Sequence, residues 1–415
     1  MLGLLLVLGL APAGRSDAPA GAITAKAADG PHRLLPAKPE VPAGELLTLL
    51  PGVTVVSAGG VALTCRADPS GSSPLPVLET AITLKADPAA DAAVELHRGR
   101  LDLTNAKPDG PATVAVTVHT LTWTLTLDRP GARAAVEVAG RRPAGTRFDP
   151  KGPPTDPTRS AILVLLAGSA SVSDGRTTVA MLPPPGPAQI GWTSTAGPDP
   201  RAVRLDRLPA WADPQFDNTA DGRATRAAVT KLIQARAGGL DAGTDALLAS
   251  KVPAEWRLGL ATAAATDQLG KLAKVLSESP DPAVWDYGGT VLRHWLGRSA
   301  GQAAALFTFL TTERGYDPVA AGTVLDLLAG FTPAELRRPE TYDALVEYLQ
   351  HDKPAVRNLA AWHLVRLVPA GKAIPFRANA GKDELRPAYS QWKRLVPGGV
   401  LPAGRATDPP RPKSP

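Results

Sequence analysis

The chain has 415 residues, with 45 Lys and Arg set against 39 Asp and Glu, so its formal charge of +6 is small for its length. The basic residues are dispersed and form no block with interleaved aromatics, which leaves nucleic-acid binding without support. The single cysteine, Cys65, excludes an internal disulfide framework and any all-cysteine metal site.

At the start of the chain, Leu2 to Leu10 is almost wholly apolar and runs into Ala11-Pro-Ala-Gly. An apolar run followed by small residues has the pattern of a signal peptide; no Lys or Arg precedes it, and it is shorter than the roughly 20 residues of a membrane span. Residues 1–14 are therefore expected to be a signal peptide or, alternatively, a truncated membrane anchor. The protein is expected to be exported to the periplasm or cell envelope, meeting the inner membrane only through an uncleaved N-terminus. Residues 15–45, polar and rich in Pro and Ala, are expected to form a disordered linker.

From 46 to 208 the apolar residues alternate. Val53 and Val55, then Gly59-Gly60, then Val61, Leu63 and Cys65 predict a hairpin, with Cys65 as a small buried residue in preference to a nucleophile. Leu78, Thr80, Ile82 and Leu84 predict another strand, and Val94–Leu96 and Leu101–Leu103 two more on either side of an Arg98-Gly99 turn. In the longest stretch, Thr113 to Leu127, the apolar residues change phase at His119-Thr120, which predicts a bulge or tight bend. Asp174-Gly175 suits a two-residue turn. Short connections and no long helix predict an antiparallel β-sandwich or rolled sheet. At the Arg98-Gly99 turn, His97, Arg98 and Arg100 would form a small basic cluster able to receive an anionic ligand, or a solvated turn.

The stretch Val94-Glu-Leu-His-Arg-Gly-Arg-Leu-Asp-Leu, with the later Leu165-Leu-Ala-Gly-Ser-Ala-Ser-Val-Ser-Asp-Gly, resembles FecR-like domains of exported bacterial proteins. The resemblance implies a domain outside the inner membrane that binds or relays a signal, with no catalytic residues.

Residues 209–222 are expected to be a hinge and 223–397 an α-helical repeat array. Pro282, Pro318 and Pro354 fall 36 residues apart, each opening a run with apolar residues at helical spacing, a period that fits helical repeats. Proline suits a first helical turn, and Asp281, Asp317 and Asp352 precede it as candidate caps. Ala303 to Leu310 and Tyr342 to Leu349 supply the intervening helices. The run Lys353-Pro-Ala-Val-Arg-Asn-Leu-Ala-Ala-Trp-His-Leu-Val-Arg-Leu resembles the second helix of a HEAT-type repeat. In the shared register Leu292, Leu328 and Leu364 are equivalent, and His363 takes the place of Val291 and Leu327. His363 is either a buried polar residue at a site or a core histidine satisfied by a carbonyl. Trp285 and Trp362 lie off the apolar stripe, placed to line a concave surface or to pack. Residues 398–415 are expected to be a disordered tail.

No metalloprotease, hydrolase, phosphate-loop or dinucleotide motif occurs, and no two of the six histidines stand at metal-ligand spacing. No cofactor is indicated. The expected function is that of a non-enzymatic cell-envelope binding or scaffold protein whose partner is a protein or envelope component. Two alternatives stand beside it, a membrane-anchored FecR-type regulator of sigma factors and an enzyme of unrecognised type.

Overall fold

The computed structural model describes residues 14–28, 30–66, 79–279 and 281–402. All but Gly14 of the expected signal peptide or anchor, Leu78, and residues 403–415 of the expected tail lie outside the described residues. The chain divides into two compact units, Met1–Gly140 with Thr158–Asp267, and Arg141–Pro157 with Gln268–Pro415.

Strands come first. They are β1 (Gly14–Arg15), β2 (Ile23–Lys26), β3 (Arg33–Leu34), β4 (Glu40–Val41), β5 (Leu46–Leu49), β6 (Thr54–Ser57), β7 (Val61–Arg66), β8 (Thr80–Lys85) and β9 (Ala92–Asn105). After them come β10 (Ala112–Val118), β11 (Leu121–Leu127), β12 (Arg133–Arg141), β13 (Thr158–Ala167), β14 (Ala170–Ser173), β15 (Thr178–Met181), β16 (Gly186–Thr193) and β17 (Gly197–Leu205). One series of hydrogen-bonded neighbours runs β3, β2, β5, β8, β9, β10, β11, β14, β15. Another runs β4, β1, β6, β7, β9, β12, and β16 lies between β13 and β17.

The strand β9 belongs to both series because it kinks. Its first half pairs with β8 and β10, and from Gly99 onward it pairs with β7 and β12. The sequence predicted two strands joined by a turn here. Gly99 has φ +95°, and a Cβ on it would stand 2.5 Å from the Glu79 carbonyl oxygen, so only glycine fits this crossing. Past the kink the chain turns and returns beside the first half of β9, so β9 and β10 are parallel. The sheet is therefore mixed, where a purely antiparallel one was expected.

Alternation in β7 is as the sequence predicts, with Val61, Leu63 and Cys65 buried. The phase change at His119-Thr120 is a tight bend, since Val118 pairs with Leu121 across it and His119 takes φ +56°, a conformation histidine adopts more readily than most residues. The expected two-residue turn at Asp174-Gly175 is instead the four-residue connection 174–177, in which Asp174 Oδ1 accepts from the N–H groups of Arg176 and Thr177.

Residues 15–45 are not a disordered linker. They carry β1 to β4 and bury Ala22, Ile23, Ala25, Leu35 and Val41. Each strand has only two to four residues, too few to show a period, and β2 finds a partner in β5, some 20 positions along the chain.

Helices follow: α1 (Ala220–Ala235), α2 (Leu240–Leu248), α3 (Pro253–Ala265), α4 (Leu269–Glu278), α5 (Pro282–Leu296), α6 (Gln302–Thr312), α7 (Pro318–Ala329), α8 (Pro339–Tyr348), α9 (Pro354–Leu367) and α10 (Lys382–Leu395). The first three group with the strands, so the chain passes between units at Asp267 and not within 209–222. Residues 209–222 are held within the first unit, where Ala212 is fully buried and the Asp213 carbonyl accepts from Arg66.

In the second unit the three evenly spaced prolines open α5, α7 and α9 as predicted. Asp281 accepts from the Ala283 N–H, and Asp317 from those of Val319 and Ala320. Asp352 does not cap. It stands one residue farther out than its counterparts, so Lys353 takes the cap position and Asp352 meets Lys382 at 3.0 Å instead. Leu292, Leu328 and Leu364 are all buried, each burial stabilising by roughly 1.5–3 kcal/mol. The helix α7 packs against α5, α6 and α9, and α8 against α9.

Candidate functional site

The three residues expected at the Arg98-Gly99 turn are not gathered on a surface. Consecutive strand residues point to opposite faces, and Gly99 then turns the chain, so their side chains part. His97 Nε2 meets Thr83 Oγ1 at 2.9 Å, and burial holds its pKa below the usual histidine range. Arg98 turns to Glu79 at 3.4 Å. Arg100 is buried, donating to Glu137 at 2.5 Å beneath the Trp211 ring. Beside it Asp102 Oδ2 accepts from Arg66 at 2.6 Å and from Arg133 at 2.9 Å. This charged face of β7, β9 and β12 escapes a search for alternating apolar residues, which registers the opposite face alone. Its signal is the complementary alternation of Arg66, Arg100, Asp102, Arg133 and Glu137. The Cys65 thiol donates to Thr80 Oγ1 at 3.1 Å, and burial pushes its pKa up to about 12, so it stays a neutral packing group.

Within the second unit two of the expected site residues do meet. Trp362 and His363 on α9 lie edge to face with centroids 4.7 Å apart, and Phe331 continues the row 5.0 Å from His363. The His363 Nε2–H donates to the Leu327 carbonyl at 2.7 Å, a carbonyl near the C-terminal end of α7 to which no later turn of the helix donates. Burial, opposed by this bond, brings the His363 pKa down to about 4. Trp285, in contrast, is buried and packs.

Helical spacing brings further side chains to Trp362. Four residues on, the Arg366 guanidinium stacks 3.9 Å from the indole centroid, and Arg293 of α5 lies 5.3 Å from it. Asp286 Oδ1 accepts from Trp362 Nε1 at 2.6 Å and also from Arg366. Nothing in the apolar pattern of α5 marks Arg293 or Asp286, which lie off the stripe that the 36-residue spacing reveals.

The aromatic row leads to a cleft of about 330 Å³ between α7 and α8, lined by Thr323, Asp326, Phe331, Glu335, Thr341 and Tyr348 among others. One wall is held by the segment 141–157. The Gly145 N–H donates to the Gly330 carbonyl at 2.8 Å and the Phe148 N–H to Asp326 Oδ1 at 2.8 Å, while the Phe148 ring lies 4.9 Å from Phe307. Arg147 spans Asp326 at 3.1 Å and Glu335 at 3.6 Å. Hydrogen bonds from the Thr332 N–H and then its hydroxyl keep the Glu335 carboxyl below the usual range, so this wall stays charged at neutral pH. The cleft thus combines an apolar floor with fixed charges of both signs, the makeup of a recognition site. Among the described residues no three of His, Cys, Asp and Glu are placed to hold a metal ion together. The chain matches no protein-family model, no curated protein and no solved structure.

Proposed function

We propose that this chain is a non-enzymatic binding or scaffold protein of the cell envelope, exported through its N-terminal segment. In this proposal a FecR-like β-sandwich is followed by HEAT-like helices stacked as a solenoid, and the partner is a protein or envelope component. The observation that carries it is the cleft between α7 and α8, with charges fixed on its wall by Arg147, Asp326 and Glu335. Support also comes from Cys65 and His363, whose reactive atoms are engaged in buried bonds that serve packing.

Photo-crosslinking tests the proposal. Full-length protein carrying a photoreactive side chain at Thr323 is expected to recover one reproducible protein partner from intact cells. Ala344→Trp, which fills the cleft from α8, is expected to abolish that recovery with normal melting. Recovery that ignores Ala344→Trp, or a crosslink formed by no partner at all, would sink the proposal.

A further inference from the structure

Arg293 is a partly buried cation without a carboxylate. Among the described residues its guanidinium donates to the Ala329 carbonyl at 3.4 Å and faces the Trp362 ring, and it makes no ion pair. Two of the buried guanidinia are satisfied more fully, Arg100 by Glu137 and Arg357 by the carbonyls of Ala378, His351 and Asp352, whereas Arg236, like Arg293, donates to one carbonyl, that of Gly21. Withdrawing a cation from water without a counter-charge is unfavourable. Burial, then the nearby Arg141 and Arg366, lowers the Arg293 pKa to about 10.

The same place shows what negative group it accepts. Asp286 is half exposed, 52% of its side chain open to solvent, yet its Oδ1 takes both the Trp362 indole N–H and a guanidinium N–H of Arg366. Trp362 and Arg366 thus hold one carboxylate supplied by the chain, and Arg293, over the same ring, holds none. A guanidinium presents parallel N–H donors that match two carboxylate oxygens, and an indole face gives a peptide a flat surface to lie on.

We propose that Arg293 on α5 and Arg366 on α9, beside Trp362, receive the carboxylates of an acidic segment of the protein partner, and that Asp286 is the resident competitor which the segment displaces from Arg366. This deepens, and rests on, the binding-protein proposal above.

Fluorescence anisotropy of a labelled hexaglutamate peptide with the full-length protein tests it. Wild-type protein is expected to bind the peptide, and Arg293→Gln to bind about tenfold more weakly, the loss of one charge-assisted contact. Asp286→Asn is expected to bind several-fold more tightly, because the amide oxygen can still accept from Trp362 while the competing charge is gone. Arg293→Lys, which keeps the charge and loses the planar fork, is expected to fall between. Inorganic phosphate at matched ionic strength should not displace the peptide. Unchanged affinity in Arg293→Gln, weaker binding in Asp286→Asn, or displacement by phosphate would overturn the proposal, with melting curves confirming that each variant is folded. If the peptide arms fail while the Thr323 crosslink persists, the acidic-segment proposal alone is lost. If the crosslink fails, the binding-protein proposal is lost with it.

Discussion

His363 shows how one polar residue is accommodated where its counterparts are apolar. Its ring donates to the carbonyl of Leu327, the residue that holds the same place one period earlier, so the repeat supplies its own acceptor. The histidine is legible in the sequence as the exception to a register. Its partner is not, because a backbone carbonyl leaves no mark in the residue pattern. Folded protein titrates this group near 4, against an ordinary value of 6.5. Above 6.5 the ring is neutral in both states and its contribution is complete. As pH falls, the unfolded chain gains a proton that the folded ring refuses, so stability is lost between 6.5 and 4, by about 3 kcal/mol in all. Urea unfolding should show this loss in the wild type and a flatter profile in His363→Leu, whose stability at pH 7 changes by no more than about 1.5 kcal/mol. Identical pH profiles for the two proteins would contradict the assigned burial.

At the scale of elements, the helix starts can be read closely because proline and a preceding aspartate act locally. Asp317 accepts two backbone N–H groups at 2.9 Å each, whereas Asp352 lies one residue too far out to reach any and forms an exposed ion pair with Lys382. Thermal melting should therefore separate them: Asp317→Ala is expected to cost about 1 kcal/mol and Asp352→Ala less than about 0.5 kcal/mol. Equal losses would mean that α9 has a side-chain cap after all. Strands are a different case. Val114, Val116 and Val118 facing Leu125, Trp123 and Leu121 follow from alternation and a tight bend. The kink of β9 does not, since a glycine at positive φ serves a turn and a kink equally well, and what distinguishes them is the distant backbone of Glu79 and Thr80. The short strands over residues 14–41 were hidden for the same reason, their partners lying far along the chain.

For the whole molecule, a change of period from alternating to helical marks the succession of strands and helices, yet the units do not divide there. The helices α1 to α3 belong with the strands, and the segment 141–157 with the later helices. By position 141–157 falls inside the expected β domain of residues 46–208; its place with the later helices is decided by Phe148 against Phe307 and by backbone bonds to Asp326 and Gly330. The candidate site was partly foreseen in the same way. Trp362 and His363 stand out against the repeat, while Arg293, Arg366, Asp286 and the cleft walls join them only once the four helices α5, α7, α8 and α9 are folded together. Hydrogen–deuterium exchange of the full-length chain with its captured partner tests the central claim most directly, because it maps the bound face without prior choice of residues. Exchange is predicted to slow in peptides covering α7 to α9, residues 318–367, and to stay unchanged in β10 to β15. Slowing confined to the strands, with α7 to α9 unaffected, would contradict the account.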